Sequence, residues 1–334
     1  MKGWETMEYF LGVDAGGSKT IGVLVNARGE LVATGMSGPA NLVENGEEVV
    51  RRNIGLLATL LEGLHAERIY SAFGMPAFGE SLRADMSYLK IITEELGIQP
   101  TLLVNDVVVG WAGGTLGQDG VHIVAGTGTI AYGRCGRKEA RTSGWGSIIG
   151  DEGSAYDLGR ETLRRVSRQL DGRETPTLLK EMVFERLGLS SWQSLTEWVY
   201  SLKEIERRTT IASLATVTYE AARNGDLVAR AILKNAAWEL SLCVLTLIEK
   251  LLLPKPLVTF SGSVLEKNEI IRESFVNHLK RRMPEVVVRN AAIHPALGAV
   301  ILLYRETNRE ISEELLHNLK KASQKLLQDE TPKR

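Results

Sequence analysis

Residues 9–35 read YFLGVDAGGSKTIGVLVNARGELVATG. The apolar run 9–14 predicts a buried strand, Gly16 and Gly17 mark a tight turn, and 21–25 predicts a second strand. Turn residues fill 26–30 and a third strand is expected at 31–35, so the chain opens as a β-meander. A dinucleotide-binding fold would instead pass from its first strand through glycines directly into a helix.

Beyond the meander, apolar residues Val49, Ile54, Leu57, Leu60 and Leu61 recur at helical spacing over 46–64. Strands at 69–73 and 102–104 alternate with a helix near 82–96, which implies an α/β domain built on a mixed sheet. The opening pattern then returns in weaker form: a strand at 121–125, a turn at Gly126 and Gly128, and a strand from 130. Two Gly/Thr-rich hairpins suggest an internal duplication. A long helical region covers 154–253, with helices expected at 156–170, 195–206, 211–223 and 227–252. A strand at 257–260, a helix at 270–282, a strand at 286–288 and helices at 295–304 and 311–327 complete the reading. No Pro- or Ser-rich linker interrupts the chain, so short hinges should join its domains.

The 334 residues exceed what one hydrophobic core comfortably serves, which makes two domains the default. Forty basic and 41 acidic residues leave a net charge of −1, without the basic excess that binds a phosphate backbone, so nucleic acid is not expected as a partner. The apolar stretch 240–258 is broken by Glu249, Lys250, Pro254 and Pro256, which argues against a membrane span. Residues 1–8 lack the apolar core of a signal peptide, and a cytoplasmic protein is the expectation. Cys135 and Cys243 are too far apart for metal-ligand spacing and support neither a disulfide framework nor a zinc site.

Chemistry concentrates at five places. Asp14, Gly16, Gly17, Ser18, Lys19 and Thr20 end the first strand. Adjacent glycines let backbone N–H groups approach phosphate oxygens, Ser18 and Thr20 add hydroxyls, and Asp14 can hold hydrated Mg²⁺. The bland alternative is an ordinary tight turn. Gly126, Thr127 and Gly128 repeat that character at the second hairpin. Asp106 follows Asn105 at the end of the 101–104 strand, where a carboxylate can accept the proton of an attacking hydroxyl, or merely cap the next helix. Gly144, Trp145 and Gly146, followed by Asp151, suit a sugar: the indole for ring contact and the carboxylate for hydroxyls. Alternatively Trp145 fills core and Asp151 caps a helix. Gly262 and Ser263, between a strand and a helix, leave room for adenosine against backbone.

As a set, and in this order, these residues with His294 to Ala299 resemble the N-acetylglucosamine kinase branch of the BadF/BadG/BcrA/BcrD ATPase family. The likeness covers about 9–304, and its most specific block is Gly144-Trp145-Gly146 with 150–154. The resemblance implies a two-domain actin-like ATPase fold of ribonuclease H-like α/β type, with a cleft between the domains and a helical insertion in the second. It places one domain at 8–115, joined by a C-terminal helix at 309–330, and the other at 116–305. ATP and Mg²⁺ would be used, with Asp106 as catalytic base and Asn41, Asp106, Gly128, Gly144, Trp145, Gly146 and Asp151 contacting sugar. Gly16, Gly17, Ser18, Lys19, Thr20, Gly126, Thr127, Gly262 and Ser263 would contact ATP, with Asp14 on the metal through water. Domain closure would complete the site and exclude water as a competing nucleophile.

The reaction implied is transfer of the γ-phosphoryl to the 6-hydroxyl of N-acetylglucosamine. Glucosamine and N-acetylmuramic acid are the alternatives, and a homodimer is the implied assembly. N-acetylmuramic acid would want a cation for its carboxylate, and Arg134, Arg137 and Arg141 are the basic residues near the sugar motif. Two readings of other classes stand beside the kinase. One is an ATPase activator of a dehydratase or reductase, for which the second hairpin lacks the expected Cys. The other is a sugar-binding protein without catalysis, against which the intact Asp14 and Asp106 argue.

Overall fold

The computed structural model describes residues 7–80 and 82–329. Most of the 1–8 segment examined for a leader, and residue 330 at the end of the C-terminal helix, lie outside the described residues. The chain divides into two compact units, one formed by residues 1–118 with 291–334 and the other by 119–290.

The first unit carries a five-stranded sheet: β1 Glu8–Ala15, β2 Thr20–Asn26, β3 Leu31–Ser37, β4 Arg68–Met75 and β5 Leu102–Asn105. The order is β3-β2-β1-β4-β5, with β1 antiparallel to β2 and parallel to β4. Side chains alternate across it as period-2 geometry requires. Leu11, Val13, Leu24, Phe73 and Met75 join Val50, Ile54, Tyr88, Ile91 and Ile92 in one core. On the other face, Phe10 stacks on Tyr70 at 5.1 Å and meets Tyr304 at 4.7 Å between ring centroids. Gly12 lies against the carbonyl of Ala296, where any Cβ would collide. The helix Pro295–Glu306 thus sits directly on β1, which is why it belongs to this unit. The sequence reading put residues up to 305 in the other domain. The small residues Gly12, Ala296 and Ala299 that allow the contact lie too far apart along the chain to pair by pattern.

The second unit repeats the arrangement. Its strands are β6 Gly120–Ala125, β7 Thr129–Cys135, β8 Lys138–Ser143, β9 Leu257–Ser261 and β10 Val287–Asn290, in the order β10-β9-β6-β7-β8. Again three antiparallel strands are followed outward from the first by two parallel ones. Between β8 and β9 the chain inserts helices, among them Ala155–Leu170, Glu204–Ser213 and Leu227–Leu251. Leu227–Leu251 is apolar and long enough to span a bilayer by composition alone. In the fold, Leu233, Ala237, Leu240, Val244 and Leu247 lie fully buried in the unit's core, so sheet and helix packing account for its hydropathy.

Several element boundaries differ from expectation. The 46–64 helix is an α-helix, Glu47–Gly55, followed by a 3-10 turn, Leu56–Leu60. Gly55, a weak helix former, marks the change. Expected helices at 195–206 and 211–223 become Trp192–Ser201, Glu204–Ser213 and Ala215–Arg223. The strand β8 and the helix Leu179–Leu187 were not anticipated.

Candidate active site

In the first unit the hairpin tip between β1 and β2 is closed by the Gly16 N–H donating to the Lys19 carbonyl at 2.8 Å, while Gly17, Ser18 and Lys19 are exposed. Thr20 is fully buried and donates its hydroxyl to the Gly38 carbonyl at 2.9 Å. The expected phosphate-binding role of its hydroxyl is therefore replaced by a structural one, anchoring the loop that follows β3. The Ala40 N–H in turn donates to the Gly16 carbonyl at 3.1 Å, bringing Asn41 beside the hairpin. Asn41 is committed locally: its side-chain oxygen caps the turn Leu42–Asn45 by accepting from the Val43 N–H at 3.0 Å. A sugar contact would fall to its amide nitrogen. Tyr88 ties this loop to the end of β4, its hydroxyl lying 3.1 Å from the Ala40 carbonyl and 2.9 Å from that of Pro76.

Asp106 opens the helix Asp106–Thr115 at the carboxyl end of β5. The capping role that Asp106 might have filled belongs to Asn105, whose side chain accepts from the Val107 N–H at 3.2 Å and donates to the Phe78 carbonyl at 3.1 Å. The Asp106 carboxylate is thereby relieved of the N-cap position, although the backbone N–H groups of Val107 and Asp106 still donate to it. Gly74 lets the helix press onto β4, since a Cβ there would lie 3.2 Å from the Asp106 Cα. Enclosure first, and the negative charge of Asp14 second, push the Asp106 carboxyl up to about 7. Strand-end placement, partial enclosure and proximity to a second carboxylate together form the setting of a general base.

In the second unit the tip Gly126–Gly128 is closed by the Gly126 N–H to the Gly128 carbonyl at 3.0 Å. Thr129 fastens the candidate sugar loop to it from both sides. Its carbonyl accepts from the Gly144 N–H at 2.9 Å, and its N–H donates to Asp151 Oδ1 at 3.1 Å. Gly128, Gly144 and Asp151 are thus brought together although 22 residues of chain separate the first from the last. Gly144 and Gly146 have φ of 76° and 80°, a region that disfavours side chains. Trp145 between them is 65% exposed, which excludes the core-filling role. The capping role weighed for Asp151 is likewise taken by another residue: Ser154 caps Ala155–Leu170, accepting from the Asp157 N–H at 3.2 Å. Asp151, 2% exposed, instead pairs with Arg208 at 2.8 Å.

Sequence reasoning missed Arg208, which lies 57 residues from its partner inside the helical insertion. Nothing local signals it. Gly262, at φ 95°, sits over Ala125 and Gly126, so the candidate adenosine loop adjoins the second hairpin through backbone alone. Ser261, before it, is held by His122 Nε2 at 3.0 Å, while His122 Nδ1 lies 2.9 Å from Thr259 Oγ1. Burial lowers this imidazole to about 3, keeping it neutral. Arg134 sits at the far end of β7, roughly 20 Å from Gly128 at strand rise. Cys135 is at that same far end, and Cys243 lies in Leu227–Leu251, its carbonyl accepting from the Thr142 hydroxyl of β8 at 3.0 Å.

A model of the BadF/BadG/BcrA/BcrD ATPase family matches residues 11–302. The chain belongs to the BadF/BadG/BcrA/BcrD ATPase family. Within reach of this family chain are an N-acetylmuramic acid/N-acetylglucosamine kinase of Clostridium acetobutylicum, 32% identical over 90% of this chain and 99% of that one, and an N-acetyl-D-glucosamine kinase of Dictyostelium discoideum, 30% identical over 88% and 97%. A crystal structure from Chromobacterium violaceum, provisionally assigned as an N-acetylglucosamine kinase, superposes with a TM-score of 0.68 at 23% identity, covering 89% of this chain and 99% of that one. The fold of this family member is the actin-like ATPase fold, and the repeated 3-2-1-4-5 strand order is its imprint in each unit.

Proposed function

We propose that the chain is an ATP-dependent kinase transferring the γ-phosphoryl group to the 6-hydroxyl of N-acetylglucosamine or a closely related amino sugar. The observation that carries this reading is Asp106: a carboxylate at the carboxyl end of β5, relieved of helix capping by Asn105, with its pKa raised to about 7. In the proposed reaction Asp106 orients the sugar hydroxyl and takes its proton as the oxygen bonds to phosphorus, and ADP leaves. The exposed hairpin tip of the first unit would present backbone amides to phosphate, and Gly126 and Thr127 would do so in the second. Gly262 and Ser263 would receive adenosine, and Asn41, Gly128, Gly144, Trp145, Gly146 and Asp151 the sugar.

Among the described residues no cluster of three or more His, Cys, Asp or Glu forms a metal cage. The acidic donor Asp14 at the end of β1 suits an ion held through water by one carboxylate and the nucleotide phosphates, as Mg²⁺ commonly is. Such an ion would neutralise phosphate charge. The same reading makes the protein a cytoplasmic homodimer without nucleic-acid or membrane partners.

The test is ADP release with Mg-ATP against N-acetylglucosamine, glucosamine, N-acetylmuramic acid, glucose and no sugar, beside Asp106→Asn. Sugar-dependent turnover that falls by about 10²–10⁴ in the variant is the expected outcome. Equal, sugar-independent hydrolysis in both proteins overturns the reading. Because Asp106 acts deprotonated, kcat/KM in the wild type should climb as pH rises toward about 7 and then level.

A further inference from the structure

The geometry points to Arg208 as the residue that lets this site accept an amino sugar bearing a carboxylate; the inference rests on the kinase reading above. The guanidinium lies on two of the candidate sugar contacts at once. Its Nη2 donates to Asp151 Oδ2 at 2.8 Å, and a Cβ on Gly128 would collide with that same nitrogen while lying 2.9 Å from both Asp151 oxygens. Glycine at 128 is what gives the guanidinium its place.

Arg208 is held there by helix packing. Its helix Glu204–Ser213 approaches Ala155–Leu170 so closely that a Cβ on Gly159 would collide with the Ile211 carbonyl, less than one turn beyond Arg208. Meanwhile Asp157 and Ser154 fix the start of Ala155–Leu170 just after the sugar loop. The cation therefore comes to the loop on a packed element, and its side chain keeps 30% exposure toward solvent.

Electrostatics gives that position its consequence. Asp151 is buried and acidic, so on its own it would repel a carboxylated sugar seated against Gly128 and the Gly144–Gly146 loop. Arg208 neutralises it, and a guanidinium presents five N–H donors in a fixed fork that matches carboxylate geometry. A neutral 2-acetamido sugar requires no such cation. Of the arginines nearer in sequence, Arg134 bonds the Gly136 carbonyl at the far turn of β7–β8, whereas Arg141, 5.5 Å from the Trp145 ring centroid, is the competing cation on the same loop.

The experiment compares kcat/KM for N-acetylmuramic acid and N-acetylglucosamine in the wild type, Arg208→Gln, Arg208→Lys and Arg141→Gln. The expected result is acceptance of both sugars by the wild type. The acidic-to-neutral ratio should then fall about 10- to 100-fold in Arg208→Gln, what one charge-assisted hydrogen bond contributes, and less in Arg208→Lys. Salt provides a reading that needs no variant: KM for the acidic sugar should rise between 50 and 500 mM NaCl more steeply than KM for the neutral one. An unchanged ratio in Arg208→Gln would reduce Arg208 to a positioning partner of Asp151, and a fall confined to Arg141→Gln would move the role to that residue. Either overturns the inference, as does a wild type that phosphorylates only the neutral sugar. A wild type that phosphorylates no sugar at all is a different result and removes the kinase reading itself.

Discussion

Asn105 and Asp106 divide between them what one residue often does alone. Asn105 satisfies the helix start, and on the carboxylate beside it enclosure and the charge of Asp14 outweigh the backbone N–H groups of Val107 and Asp106 that would hold its pKa low. This arrangement has a thermodynamic signature. A carboxyl whose folded pKa is raised binds its proton more tightly in the folded chain than in the unfolded one. Stability is therefore fully retained below about pH 4 and is lost as pH rises from there to about 7. Asp106→Asn cannot ionise and escapes the loss. The variant should match the wild type in melting temperature near pH 4 and exceed it at pH 8 by a few degrees, corresponding to about 1–3 kcal/mol. Thermal melts across that range check it, and a variant no more stable at pH 8 than the wild type would show that Asp106 titrates normally. A residue that weakens the fold while serving the chemistry is the usual mark of a working site.

At the scale of elements, close approach is bought with glycine. The helices Asp106–Thr115 and Pro295–Glu306 cross where a Cβ on Gly298 would collide with the Val109 carbonyl and the Gly113 amide. Gly298→Ala should force them apart, costing about 1–3 kcal/mol and displacing the helix that begins at Asp106. Melting temperature and kcat should fall together; a stable variant with normal kcat would mean the crossing has slack. Such contacts explain what was legible beforehand. Strands β1, β2, β4 and β6 showed themselves because apolar runs ended in glycine turns, and the Leu82–Leu96 helix because its period was clean. Strand β8, with the sequence KEARTS, is an edge strand whose charges face solvent and hide its pairing. The candidate site could be proposed from sequence where its residues are contiguous: the two hairpins, Asn105-Asp106 and the Gly-Trp-Gly loop. The local commitments of the Thr20 hydroxyl and the Asn41 side-chain oxygen could not be read beforehand, because hydrogen-bond partners such as the Gly38 carbonyl are invisible in sequence. Arg208 was unreadable for the opposite reason, its meaning arising from a helix packed against Gly159.

At the scale of the whole molecule, one unit is continuous and the other is not. Residues 119–290 contain their own sheet, helices and core, whereas residues 1–118 leave one face of their sheet to the helix Pro295–Glu306. A fragment of residues 119–290 should fold alone, with cooperative unfolding by circular dichroism. A fragment of residues 1–118 should not, until a segment covering 291–334 is added. Independent folding of 1–118 would show that the first sheet is stable with that face uncovered.

That discontinuity has a temporal meaning. On the ribosome, chains grow at about 5–20 residues per second and domains fold as they emerge. Here the first unit to begin synthesis is the last that can be finished, because the helix that seats on Gly12 of β1 is encoded almost three hundred residues later. The nascent protein carries its proposed base and first hairpin through most of translation on an unfinished scaffold, so loss of the last few dozen codons would disable the residues encoded first.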